Sequence, residues 1–118
     1  MTEDELLSKI SIEPETLDFK ELMAVITENY LYKPVSFSNG SGDEKVLNEA
    51  GTNEGSCKIF AFAQLNKLNA QQTLHCFGDY YRQDVLLHPE GSDHANIRNF
   101  MAHGWAGIKF DGAALSKR

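Results

Sequence analysis

The chain has 118 residues, 42% hydrophobic and 24% charged, the proportions of one ordinary globular domain with a single core. A formal net charge of −6 and a pI near 5.1 exclude a broad phosphate-backbone footprint, so nucleic acid is not an expected partner. No run approaches the about 18 apolar residues that span a bilayer, and the start Met1-Thr2-Glu3-Asp4-Glu5 reads as no basic-then-apolar export signal, so no membrane partner is expected.

In chain order, Thr2 and Glu5 make a capping box, and Leu6, Leu7 and Ile10 give the first helix (3–10) an apolar side. After a connector at Ser11 to Pro14, Asp18 and Glu21 repeat the capping-box spacing. Phe19, Leu22, Met23, Ile26 and Tyr30 then fall on one face of a second helix. Pro34 ends helical structure. Val35 and Phe37 alternate with Ser36 and Ser38 before the turn signal Asn39-Gly40, which predicts a short strand. Ser41 to Gly51 is polar and Gly/Asp/Glu-rich and reads as a mobile loop with a helical turn around Val46 and Leu47.

The stretch Gly51 to Leu68 organises the rest. Turn and capping residues, with Thr52 or Asn53 as N-cap, precede Ile59-Phe60-Ala61-Phe62-Ala63, Leu65 and Leu68. On a helix these side chains go most of the way round, which predicts a helix buried in the middle of the domain. Asn69 and Gln72 cap the next helix, anchored by Leu74, Phe77, Tyr80 and Tyr81. The short link between them implies an antiparallel or strongly angled pair. His88-Pro89-Glu90-Gly91 is a break. Ser92 or Asp93 caps a last helix with core face Ile97, Phe100 and Met101, closed by Gly104. Gly107 to Gly112 alternates as a strand, and its natural partner is the strand at Val35 to Phe37. Ala113 to Arg118 reads as a loose tail. The fold expected is mainly α (α+β): about five helices around one buried central helix, with a small two-stranded β element pairing about 34–38 with 107–111. It forms a single domain over 1–118, to which the N-terminal helix 3–10 and the tail 113–118 are peripheral.

Four segments in this order, N-E-G-S-C-K-I-F-A-F-A-Q-L at Asn53 to Leu65, C-F-G-D-Y-Y-R at Cys76 to Arg82, H-P-E-G-S-D-H at His88 to His94 and N-I-R-N-F-M-A-H-G-W-A-G-I at Asn96 to Ile108, resemble the HopJ type III effector family. F-S-N-G at Phe37 to Gly40 fits too, and the resemblance covers roughly residues 14–112. The family is named for an effector that a plant-pathogenic bacterium injects into host cells, and it has members in other bacteria. The resemblance implies a fold and no particular activity, cofactor or catalytic residue. Type III export signals tend to be flexible and poor in acidic residues. Here Glu3, Asp4, Glu5 and Glu13 are acidic and Leu6 to Ile10 is helical, so the expected location is the bacterial cytoplasm, with secretion into a host cell for a true effector.

Two chemistries compete at the tip of the central helix. Free N–H groups of its first turn, with Asn53, Gly55, Ser56 and Lys58, make an anion or carboxylate pocket if His94 and Arg98 of the last helix reach it. The bland alternative pairs Arg98 with Asp93. Cys57 lies in the same first turn, where the dipole favours a thiolate, and with His94 or His103 as base it would serve a small cysteine-dependent hydrolase or transferase. The structural reading of Cys57 is an inert core thiol. Two cysteines, Cys57 and Cys76, exclude a disulfide scaffold and read as reduced thiols. At ~100° per residue His94 and His103 fall on opposite sides of their helix, and no CxxC or paired-histidine spacing is present, so neither metal nor cofactor is expected. Trp105, Tyr80 and Tyr81 read as core aromatics with polar tips. The function expected is a non-catalytic domain that binds a protein or a small anionic ligand.

Overall fold

The structure, a computed structural model, describes residues 1–118. Five α-helices and five short strands occur in the order α1 (Glu3–Ile12), α2 (Phe19–Asn29), β1 (Tyr30–Tyr32), β2 (Phe37–Asn39), β3 (Val46–Asn48), α3 (Glu54–Leu65), α4 (Ala70–His75), α5 (Ala95–His103), β4 (Lys109–Phe110) and β5 (Leu115–Lys117). The expected mainly helical α+β fold is present. Short 3₁₀ turns occupy Pro14–Thr16, Gly42–Glu44 and Gly104–Gly107, and a π-helical segment runs over Tyr80–Val85.

The central post is α3. Cys57 and Ile59 to Ala63 are buried, because five apolar residues in sequence leave no side of the helix that water can face without cost. Phe60 sits in an aromatic cluster, with ring centroids 5.0 Å from Phe100, 5.4 Å from Phe77 and 5.9 Å from Phe37. Leu22, Val25 and Ile26 of α2 join the same core. Leu6 and Ile10 of α1 are fully buried in it as well. The capping boxes at Thr2/Glu5 and Asn69/Gln72 form as read. Asp18 takes the N-cap position of α2 but makes no side-chain cap bond, and Glu21 pairs with Lys9 at 3.0 Å instead. The helix from Asn69 is shorter than its apolar anchors implied. Gly78 takes φ +61°, and a Cβ there would meet the Phe19 backbone nitrogen at 2.9 Å, so the chain breaks stride before Tyr80.

Three further elements differ from expectation. The β2–β4 pairing holds, with Phe37 opposite Phe110 and Ser38 opposite Lys109, but β3 adds a third strand in the order β3-β2-β4. The segment read as a mobile loop with a helical turn is thus an edge strand. Leu47 points outward, 75% exposed, while Asn48 points inward; a polar residue on the buried side hides the period-two pattern. The tail is not loose. Tyr30, Leu31 and Tyr32 pair antiparallel with Lys117, Ser116 and Leu115, which buries Ala114 and Leu115. Met101, placed on the core face of α5, is 45% exposed. Asn96 is turned inward, and Ile97 and Phe100 carry the buried face.

Candidate functional site

The N-termini of α3 and α5 open on one cavity. Their N-cap residues, Asn53 (φ 48°) and His94 (φ 52°), both adopt the left-handed conformation, and neither side chain caps its helix. Asn53 instead donates its amide to Asn48 Oδ1 at 2.7 Å. His94 Nε2 lies 3.0 Å from Asp84 Oδ2, and its ring tilts on Tyr80 at 5.3 Å. The first backbone bond of α3 is Cys57 N–H to Asn53 O, and that of α5 is Ile97 N–H to His94 O. The earlier first-turn N–H groups therefore carry no intrahelical partner, as at any uncapped helix start.

The cavity encloses about 370 Å³ and is lined by Phe19, Val46, Asn53, Gly55, Ser56, Phe77, Tyr80 and the stretch His94 to Ile97. One end is therefore polar, built of helix starts and His94, and the walls are aromatic and aliphatic. Such a shape suits a small ligand with an anionic end and an apolar body. Gly55 has a local reason: a Cβ there would come within 3.1 Å of Phe19 Cζ.

Behind the cavity lies a set of buried amides. Asn96 donates to Asn48 Oδ1 at 2.8 Å. Its own Oδ1 accepts from Asn39 and Asn48, both at 3.1 Å, and its backbone oxygen accepts from Asn39 at 2.8 Å. The network ties β2 and β3 to the start of α5 and, through Asn53, to the start of α3, which sets the two helix starts relative to each other. Sequence reading missed it, because Asn39, Asn48 and Asn96 each sit beside turn or cap residues and pass for turn formers.

Of the six residues read as ligand-binding, the structure brings Asn53, Gly55, Ser56 and His94 together around this cavity. Lys58 and Arg98 do not line it. The Lys58 ammonium lies over the Tyr32 ring, 4.6 Å from its centroid. Arg98 takes the bland alternative: its guanidinium donates to Asp93 Oδ1 at 2.6 Å and to His88 O at 3.0 Å, pinning the 88–93 loop to α5. This pairing holds the Asp93 carboxyl below its usual range.

The cysteine constellation does not assemble. Cys57 is 1% exposed, its Sγ donates to the Val35 carbonyl at 3.9 Å, and burial pushes its thiol up. His94 is engaged by Asp84 and His103 by Glu44, so neither is hydrogen-bonded to the thiol. Burial pushes the Cys76 thiol up to about 12. Trp105 donates its indole N–H to Leu68 O at 3.1 Å, and Tyr81 is buried with its hydroxyl accepting from Gln71. Tyr80 alone of the three is exposed, as part of the cavity wall.

Comparison with known proteins agrees with this architecture. Residues 3–115 match the family described as HopJ type III effector protein. A solved crystal structure, described as that of the unknown function protein VPA0580, is similar at a TM-score of 0.95 and 49% identity, over 100% of this chain and 95% of that one. Comparison with curated proteins returned no match.

Proposed function

The chain belongs to the HopJ type III effector family, and from that premise we propose that it works by binding a small anionic ligand in the cavity between the starts of α3 and α5, without chemistry at that cavity. One observation carries the reading: two uncapped helix starts converge on the same 370 Å³ space, with Ser56 and His94 at the polar end and Phe19, Phe77 and Tyr80 along the wall. Helix N–H groups favour an anion, and the aromatic wall favours an apolar body attached to it. The absence of any link between Cys57 and a histidine weighs against thiol catalysis at this tip. The site of action is the bacterial cytoplasm, with delivery into a host cell as the route the family name implies. The capping box of α1 and the burial of its Leu6 and Ile10 support a folded start to the domain.

A melting-temperature screen with phosphate and small aromatic or aliphatic carboxylates tests the proposal. A ligand at a hundred times its Kd adds about 2.7 kcal/mol of stability by mass action, and a flat response across the screen removes the reading. Gly55→Ala places a methyl against Phe19. It abolishes the ligand response while the unliganded protein melts within a few degrees of wild type, and a variant that still responds disproves this placement of the site.

A further inference from the structure

At the far end of α5 from the cavity a second group of side chains assembles. Ser41 lies between Gly40 (φ +102°) and Gly42 (φ +57°), where β2 gives way to the 3₁₀ turn Gly42–Glu44. Two glycines in the left-handed region allow a turn sharp enough to leave the serine exposed at its tip. The turn is held tightly. Gly40 N–H donates to Gly107 O at 3.1 Å. The Asn99 amide donates to Asn39 O at 3.1 Å and also to Glu44 O. A Cβ on Gly40 would lie 2.8 Å from Asn99 Nδ2, and one on Gly107 would lie 2.8 Å from Gly40 N.

Against this fixed turn α5 presents His103. Its Nε2 is 2.8 Å from Glu44 Oε1 and its Nδ1 is 3.4 Å from Ser41 Oγ. A carboxylate only accepts, so the bond to Glu44 places the ring proton on Nε2 and leaves the Nδ1 lone pair facing the serine hydroxyl. Hydroxyl, base and orienting carboxylate thus stand in sequence, the order that activates a serine nucleophile.

We propose that Ser41, His103 and Glu44 form a nucleophilic site that hydrolyses small carboxylic esters. Ser41 Oγ bonds to the ester carbonyl carbon as its proton passes to His103 Nδ1. The tetrahedral intermediate collapses with cleavage of the bond to the alcohol, which leaves with the proton from His103. Water, deprotonated by the same imidazole, then adds to the acyl carbon; the bond to Ser41 Oγ breaks as His103 returns the proton to that oxygen, and the acid is released. Gly42 N–H, next in the chain after the nucleophile and free of a backbone partner, is the available donor to the developing oxyanion. Glu44 is a positioning residue. The site is open to solvent, so it takes small or extended esters rather than ones that need enclosure. It shares no residue with the cavity between α3 and α5.

The full chain is treated with a fluorophosphonate and the adduct is mapped by peptide mass spectrometry, while p-nitrophenyl acetate hydrolysis is followed in parallel. Modification falls on Ser41 and is lost in Ser41→Ala. His103→Gln slows labelling and hydrolysis by roughly a hundredfold, the scale of general-base catalysis. Glu44→Gln lowers kcat by roughly tenfold with KM unchanged. No adduct on Ser41, or equal labelling in wild type and His103→Gln, overturns the proposal. If His103→Gln melts early, the position of the wild-type adduct and the Glu44→Gln rate decide. Cavity-ligand stabilisation measured on Ser41→Ala stays at the wild-type level, so failure of either reading leaves the other standing.

Discussion

Along α3, Ile59 to Ala63 sit among Phe37, Phe77, Phe100 and other core side chains, whereas Gly55 and Ser56, one turn earlier, border a cavity backed by asparagine amides. The body is held by apolar area, which is non-directional and tolerates small shifts. The tip is held by a few directional bonds whose donors and acceptors must match one for one. The same helix therefore serves as a post at one end and as a shaped polar surface at the other. Cys57 lies at the boundary: one residue past Ser56, it already belongs to the sealed part.

The largest test of that division is Phe60→Ala. Phe60 is fully buried, and its truncation costs about 3–5 kcal/mol in urea unfolding. A cost below 1 kcal/mol would mean that the aromatic cluster is not the post. The seal of the body is next. Burial raises the Cys76 thiol from 9.0 to about 12, a roughly thousandfold loss of thiolate at neutral pH. Cys76 therefore stays unmodified by iodoacetamide while the protein is folded and reacts at once in denaturant. Cys57 also lags a free cysteine, in line with its burial. Rapid labelling of either thiol in the folded state would break the contrast between body and tip.

Asn96→Ala probes the tip. It removes the partner of Asn39 and Asn48 in a buried setting, at a cost of about 2–3 kcal/mol. Because the amides set the spacing of the two helix starts, ligand stabilisation at the cavity falls with it. A variant that binds normally would show that the network is scaffolding alone. The smallest effect lies far from both regions. Burial pushes the Glu3 carboxyl up, but its hydrogen bonds to Lys117 and Tyr30 outweigh that and hold it below the ordinary glutamate value. A depressed carboxyl stabilises fully above its unfolded value, and the contribution is lost as pH falls through the folded one. Lys117→Met therefore lowers the melting temperature at pH 7 by about a degree or two. The two proteins converge in acid, once the pH has fallen through the depressed Glu3 pKa. A difference that persists in acid would place the effect in the β1–β5 pairing instead.

Much of the fold was legible because it rests on local rules. The capping boxes at Thr2/Glu5 and Asn69/Gln72, the all-round apolar run at Ile59 to Ala63 and the Gly104 stop each state their structure within a few residues. β3 and β5 were not legible. A three-residue strand has no period to detect, and both form by finding an edge elsewhere in the chain, β2 in one case and β1 in the other. Part of the cavity was legible in the same way. Gly55 and Ser56 announce an open helix start, whereas Phe19, Tyr80 and Asn96 reach it from three other segments with no signal in the residues themselves.

Local propensity and hydrophobic period thus determined which helices form, and that α3 is central, since those choices depend on side chains a turn apart. Tertiary structure alone decided which side chains the helix starts would face. It turned Asn53 and His94 outward from their caps to Asn48 and Asp84, and it gave Arg98 to the 88–93 loop. It also set His103 between Ser41 and Glu44. The physical reason is that a polar side chain takes the best partner within reach once the core has packed, and reach is a property of the folded chain.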